Sequence, residues 1–137
     1  MNSQSDAPAG PRSGHRGYIG SRAYRGQNPP QHVQNLVIRD FCARNDFQFL
    51  LSATEYAMPA CYMMLEDVIA EAPKLDGVVC YSIFMLPEAR QRRRDVVRRI
   101  LDAGATLHGA VENMHVRDAD ELDRLDLIWS LSDATGA

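Results

Sequence analysis

The chain predicts a single three-layer α/β domain, with a parallel sheet of about four strands covered by helices on both faces. Three observations point to it. Short apolar runs alternate along the chain with longer segments whose apolar residues recur at helical spacing. The run Val78-Val79-Cys80-Tyr81-Ser82-Ile83-Phe84 is apolar on both alternating faces, as a central strand buried on two sides requires. The 137 residues, 45% hydrophobic and 24% charged, suffice for one core without disulfide or metal staples.

Residues 1–15 are rich in Ser, Pro, Gly and Asn and have almost nothing apolar to repay ordering, so they read as a disordered tail ahead of a domain spanning residues 16–131. Gly17-Tyr18-Ile19-Gly20 supplies a first strand that ends in a polar loop. Asn28-Pro29 reads as an N-cap and first turn, and Val33, Leu36, Val37 and Phe41 mark the buried stripe of a first helix that Asn45 closes. Residues 47–51 are a second strand, followed by a loop over residues 54–58. Pro59 opens a second helix with the stripe Cys61, Met64, Leu65, Val68, Ile69 and Ala72, stopped by Pro73.

The Asp76-Gly77 turn leads into the central strand, residues 78–84. Pro87 opens a third helix that buries Val96, Val97, Ile100 and Leu101 and ends with Gly104 in the C′ position. Residues 106–111 supply a fourth strand. Asp118 and Glu121 have the spacing of a capping box, and Leu122, Leu125, Ile128 and Trp129 line one face of a last helix. Residues 127–131 have a second reading as a fifth, edge strand, and residues 132–137 as a flexible C-terminus. This alternation predicts right-handed crossovers, and ligands in such folds sit outside the carboxyl ends of the strands near a switch in strand order.

Composition narrows the function. No run approaches the ~20 apolar residues of a membrane span and the start is polar, which places the chain in the cytoplasm. Cys42, Cys61 and Cys80 are too few and too evenly spread for a disulfide framework or a zinc site. His32, His108 and His115 show no metal-ligand spacing, and no cofactor fingerprint is present, so neither metal nor cofactor is assigned. A net charge of −3 disfavours DNA as a partner. The run Arg90-Gln91-Arg92-Arg93-Arg94, with Arg98 and Arg99, reads as a solvated helix face, because consecutive helical residues point in different directions and acidic partners abound.

The most informative segment is residues 52–67, Ser-Ala-Thr-Glu-Tyr-Ala-Met-Pro-Ala-Cys-Tyr-Met-Met-Leu-Glu-Asp. With Arg16-Gly17-Tyr18-Ile19-Gly20-Ser21-Arg22 and Pro30-Gln31-His32-Val33-Gln34-Asn35-Leu36, it resembles the sporadic carbohydrate cluster proteins, a small bacterial family named for surface-carbohydrate gene clusters. That resemblance implies a role in sugar biosynthesis and no particular reaction. A more distant resemblance, in strand and helix order, is to the catalytic domain of serine recombinases, which makes the expected fold resolvase-like or flavodoxin-like. In that family the first strand carries Gly-Tyr-x-Arg-x-Ser and the third runs into Asp-Arg-Leu-x-Arg. Here the first reads Gly17-Tyr18-Ile19-Gly20-Ser21-Arg22, and Phe84-Met85-Leu86-Pro87-Glu88 replaces the phosphate-binding set. Without arginines aimed at the phosphorane oxygens, recombinase chemistry is rejected, and likeness of scaffold does not fix function.

The expected ligand site gathers Ser21, Arg22, Arg25, Thr54, Glu55, Tyr56, Met58, Ser82, Glu112 and Asn113 at the carboxyl rim. Ser21, Arg22 and Arg25 suit a phosphate, carboxylate or diphosphate; the competing reading is a solvated loop. Thr54, Glu55 and Tyr56 offer groups that grip sugar hydroxyls, with Met58 and Tyr62 as an apolar wall; the competing reading is a capped helix start, in which Thr54 or Glu55 meets free backbone donors. Glu55 and Tyr56 are the catalytic candidates if turnover occurs, with isomerase, epimerase or lyase chemistry expected. Cys61 is the most reactive thiol if it lies at a helix N-terminus, and otherwise a small core residue.

The reading is a protein of surface-carbohydrate biosynthesis that binds a sugar, sugar phosphate or nucleotide sugar, as enzyme or accessory subunit. The alternative is a catalytically silent resolvase-like module that pairs with itself, with another enzyme of the pathway, or with DNA.

Overall fold

A computed structural model describes residues 12–21, 24–56 and 62–135. Five strands, β1 (His15–Gly20), β2 (Phe49–Glu55), β3 (Gly77–Cys80), β4 (Thr106–Gly109) and β5 (Met114–Val116), form one sheet in the order β2-β1-β3-β4-β5. Four helices, α1 (Gln31–Arg44), α2 (Met63–Glu71), α3 (Arg90–Asp102) and α4 (Ala119–Thr135), surround it. The first four strands are parallel and β5 is antiparallel to β4. This is the expected α/β class. Val78, Val79 and Cys80 have no exposure, as the two-sided apolar pattern of the central strand required. Helix α1 packs where its Phe41 ring meets His108 and His115, while α2 and α3 are joined to each other by the Glu66–Arg99 pair. None of the described helices is long and apolar enough to cross a membrane.

Several boundaries differ from the sequence reading, each for an identifiable reason. Order begins before residue 16: the Arg12 guanidinium donates to the carbonyls of Ala72, Leu75 and Ala103, and Gly14 N–H donates to the Asp76 carboxylate at 2.9 Å. It also continues beyond residue 131, because α4 runs to Thr135. Residues 127–131 are therefore helical. The fifth strand is Met114–Val116, too short to show a period, and it returns along β4 after a turn in which Asn113 takes φ +52.

The second strand runs on through the polar residues assigned to a loop, with Ile19 opposite Thr54 and Gly20 opposite Glu55. Just ahead of them Ser52 Oγ donates to Asn35 Oδ1 on α1 at 2.6 Å. Phe47 precedes the strand and stacks on His15 at 3.8 Å between ring centroids. The third strand stops at Cys80 rather than Phe84, because Ser82 Oγ accepts from Phe84 N–H and caps a 3₁₀ turn, Ile83–Met85. The fourth ends at Gly109, two residues early.

Helix α1 begins at Gln31, without a side-chain cap, rather than at Pro29. Its buried face is rotated from the expected stripe: Leu36 is 62% exposed, while Gln34 is buried. The Gln34 amide donates to the Gly20 and Pro29 carbonyls and accepts from Gly20 N–H, satisfying the end of β1. Pro59 and Cys61, at the expected start of the second helix, lie outside the described residues; the described helix begins at Met63 and buries Leu65, Val68 and Ile69 as expected. α3 starts at Arg90, three residues after Pro87. Its end carries a Schellman pair, Ala105 N–H to Ile100 O and Gly104 N–H to Leu101 O, with Gly104 at φ +92 in the expected C′ position. At α4, Asp118 Oδ1 accepts from Glu121 N–H, and Glu121 reaches back to Arg117 N–H.

The arginine run is only partly a solvated face. Arg93 is 3% exposed and joins α3 to α4: its Nε donates to Asp126 Oδ1 at 3.0 Å, and its Nη1 donates to the carbonyls of Pro87 and Glu88. Arg94 reaches the same Asp126 and Asp123, and Arg99 pairs with Glu66 on α2.

Candidate functional site

A cleft of about 370 Å³ opens at the carboxyl ends of β1 and β2. Its floor is Tyr18, Gly20 and Glu55, and one wall is the apolar segment Phe84, Met85, Leu86 and Pro87 that follows β3. Tyr24, Arg25, Tyr62 and Arg92 ring the mouth. The position follows from topology. β1 sends its crossover to β2 on one side while β3 lies on the other, so the two connections diverge and leave a crevice at this end of the sheet.

Glu55 organises the floor. It is 2% exposed, and its two oxygens take three donors: Tyr18 O–H at 2.8 Å and Leu65 N–H at 3.1 Å on Oε1, and Met64 N–H at 3.1 Å on Oε2. Met64 and Leu65 lie in the first turn of α2, where backbone N–H groups have no helical acceptor and the helix dipole favours an anion. The carboxylate at the end of β2 thus caps a helix that begins eight residues later. Of the two readings of Glu55, this geometry has the form of the capped helix.

Tyr24 was not among the sequence candidates, and it joins two groups of them to the cleft. Burial pushes its phenol up to about 12; Tyr81 adds to the rise and a hydrogen bond with Ser82 opposes it, so the group stays a neutral O–H across the ordinary pH range. Ser82 is buried and donates to Glu112 Oε2 at 2.7 Å, while Glu112 Oε1 accepts Ile83 N–H at 2.9 Å. Ser82 and Glu112 therefore form a buried brace behind Tyr24. No sequence motif marks Tyr24; a hairpin bridge between Tyr24 and Gln27, with Arg25 at φ +50 and Gly26 at φ +75, puts it there.

The other candidates divide. Arg25 reaches the cleft with its guanidinium over the Phe84 and Trp129 rings, 4.5 and 4.6 Å from their centroids, and pairs with Asp133 of α4 at 2.9 Å. Ser21 lies at the rim, where its N–H and hydroxyl both address the Glu55 carbonyl. Thr54 is half-buried in β2, Tyr56 is 67% exposed, and Asn113 is exposed in the β4–β5 turn, so none of these three lines the cleft. Arg22 and Met58 lie outside the described residues. Arg92, read from sequence only as part of a charged face, sits 4.6 Å over the Tyr62 ring at the mouth.

The two described thiols take no part, and Cys61 lies outside the described residues. Burial pushes Cys42 up to about 11 and Cys80 higher still, which keeps both protonated and unreactive. Among the described residues no cluster of histidine, cysteine and carboxylate side chains could hold a metal ion.

The fold is similar to that of a resolvase family site-specific recombinase from Streptococcus pneumoniae, with a TM-score of 0.59 and 12% identity over 88% of this chain and 89% of that one. It is also similar to the N-terminal catalytic domain of the TP901-1 integrase, with a TM-score of 0.64 and 13% identity over 88% of this chain and 98% of that one. At these identities the likeness is one of fold. No family model matches the sequence, and no curated protein does.

Proposed function

We propose that this chain binds a sugar phosphate or nucleotide sugar in the rim cleft, on a resolvase-like scaffold without recombinase chemistry. The observation that carries the proposal is the makeup of the cleft: about 370 Å³ at the strand-order switch, with aromatic faces, a neutral phenol and a guanidinium at its mouth. Tyr62 under Arg92 offers an aromatic surface with a positive charge against it, and the Tyr24 phenol, whose hydrogen goes to Ser82 because Ser82 donates to Glu112, offers its oxygen as an acceptor to a ligand hydroxyl. The resemblance of residues 52–67 to the sporadic carbohydrate cluster proteins supports the sugar part of the reading and its place in surface-carbohydrate biosynthesis.

Binding is the function the geometry favours over turnover. Both Glu55 oxygens are committed to three donors, which leaves that carboxylate a holder of the floor. Recombination is left out of the proposal: the wall after β3 is apolar, and Arg93 is turned inward to Asp126.

The test is a thermal-shift titration of the full chain with nucleotide sugars, sugar phosphates and short duplex DNA, since a ligand selective for the native state raises its stability by mass action. A saturable rise with one sugar class that Arg92→Ala or Tyr24→Phe removes is the expected result. No response to any sugar ligand would reject the cleft as a sugar site.

A second reading, an interaction module that pairs with itself or with another protein, draws on the resolvase-like fold and on Leu127 and Leu131. These side chains are one turn apart on α4 and each 58% exposed. Light scattering that shows a concentration-dependent dimer, lost in Leu127→Glu, would favour it; a monomer at high concentration would remove self-pairing.

A further inference from the structure

The opposite end of the sheet holds a cluster in which sequence spacing showed no pattern. His15 of β1, His108 of β4 and His115 of β5 meet around Phe41 and Phe47. His108 and His115 are register partners across β4 and β5, and their Nδ1 atoms are 2.7 Å apart. His108 Nε2 lies 2.8 Å from Thr106 Oγ1, which donates to the Asp76 carbonyl at 3.3 Å.

The proton positions follow from the tautomer in which Thr106 donates to Asp76. With its hydrogen directed to Asp76, Thr106 Oγ1 can only accept, so His108 carries its proton on Nε2. His108 Nδ1 is then an acceptor, and His115 Nδ1–H is the donor. A proton added to His115 Nε2 leaves this chain intact. One added to His108 Nδ1 sets two N–H groups facing each other at hydrogen-bond distance and abolishes the link.

The surroundings offer an imidazolium at His108 little compensation, with Glu121 the group that favours its charge. From β1 comes His15, whose Nδ1 is buried without a hydrogen-bond partner among the described residues. From α1 come the Phe41 ring and, 6.0 Å over it, the Arg44 guanidinium. Asp76 gives its carboxylate to Gly14 N–H. From the start of α4 come Arg117 and Glu121, joined to each other by hydrogen bonds from both Arg117 Nε and Nη2. Burial, with the His115 charge second, pushes His108 down to about 3.

We propose that the His108–His115 pair is an acid-sensitive latch: while His108 is neutral it holds the three-residue edge strand β5 to the sheet, and a proton on His108 releases β5 and the start of α4. β5 is the element such a change would free first, because it is three residues long and has a neighbour on one side only.

The test is amide hydrogen exchange on the full chain at pH 7.5 and pH 5.0, corrected for the intrinsic rate. With an open-state imidazole that titrates near 6.5, opening of β5 should become about 30-fold more frequent at the lower pH. The amides of Met114–Val116 and the first turn of α4 are expected to lose that protection, while Val78, Val79 and Cys80 keep theirs. Unchanged protection at β5, or an equal loss at the central strand, would overturn the latch. His108→Asn keeps an acceptor near the Nδ1 position and cannot charge, so it should remove most of the pH difference and leave the smaller part due to His15 and His115, which burial also lowers; an undiminished difference would place the sensitivity elsewhere. If that variant does not fold, the imidazole ¹⁵N shifts of the native chain decide: the loss of protection must follow a proton on His108, and a loss that follows another group refutes the proposal.

Discussion

The two ends of the sheet bury polar side chains by opposite means. At the carboxyl end Glu55 is desolvated beside the first turn of α2 and meets three donors, and Glu112 meets two. At the amino end three imidazoles are desolvated among aromatic rings with one inter-histidine hydrogen bond, and one ring nitrogen has no partner among the described residues. An acceptor-only group fits well where strands end and helices begin, because helix N-termini supply orphan donors there. A buried group at the other end has no such supply and must stay neutral. Position along the strand therefore decides whether a buried polar group is a charged brace or an uncharged filler.

The comparison breaks most visibly at Glu55. Glu55→Ala leaves the Tyr18 hydroxyl and two backbone N–H groups buried without acceptors, and should cost about 3 kcal/mol in chemical denaturation, with Glu55→Gln losing less. A loss below about 1 kcal/mol for Ala would show that the carboxylate does not hold the start of α2.

The amino end should respond to acid instead. His108 has a lowered folded value, so its contribution to stability is complete above about 6.5 and is lost as pH falls toward 3. From pH 7.5 to 5.0 the native state should lose about 2 kcal/mol by this group alone, read by denaturant melts at each pH. Glu121, pulled down to about 2 mainly by its hydrogen bond from Arg117, works in a lower window, below 4.5, and does not confuse the reading. A flat stability between pH 7.5 and 5.0 would erase the contrast.

A smaller effect sharpens the carboxyl end. Tyr18→Phe removes one of three donors and leaves Glu55 with both backbone partners, so it should cost about 1 kcal/mol. Arg92→Ala, at an exposed position, should change stability by less than about 0.5 kcal/mol while it removes ligand response. A large stability loss there would make Arg92 part of the fold instead of the cleft.

How much of this was readable beforehand varies by element. The central strand, the stripe of α2 and the Gly104 stop of α3 were plain, because each depends on local period or on the φ > 0 that glycine alone takes easily. The boundary of β2 was not. Ser52, Thr54 and Glu55 look like loop residues until Asn35 and the first turn of α2 are known to lie within reach. Arg93 looked like one more solvated charge in a run of them, since its partner Asp126 is far along the chain.

By itself, then, the sequence determined the α/β class, the order of the parallel elements and the buried central strand, because apolar periodicity and helix termination are written within a few residues. It also determined that the recombinase arginines are missing after the third strand. Only the tertiary structure decided that Glu55 caps a helix, that Tyr24 lines the cleft with Ser82 and Glu112 behind it, and that three separated histidines share one pocket. Those pairings include Glu55 with Leu65, 10 positions apart, and His15 with His108, 93 apart (108 − 15), and such contacts depend on crossover geometry, which leaves no periodic trace in the chain.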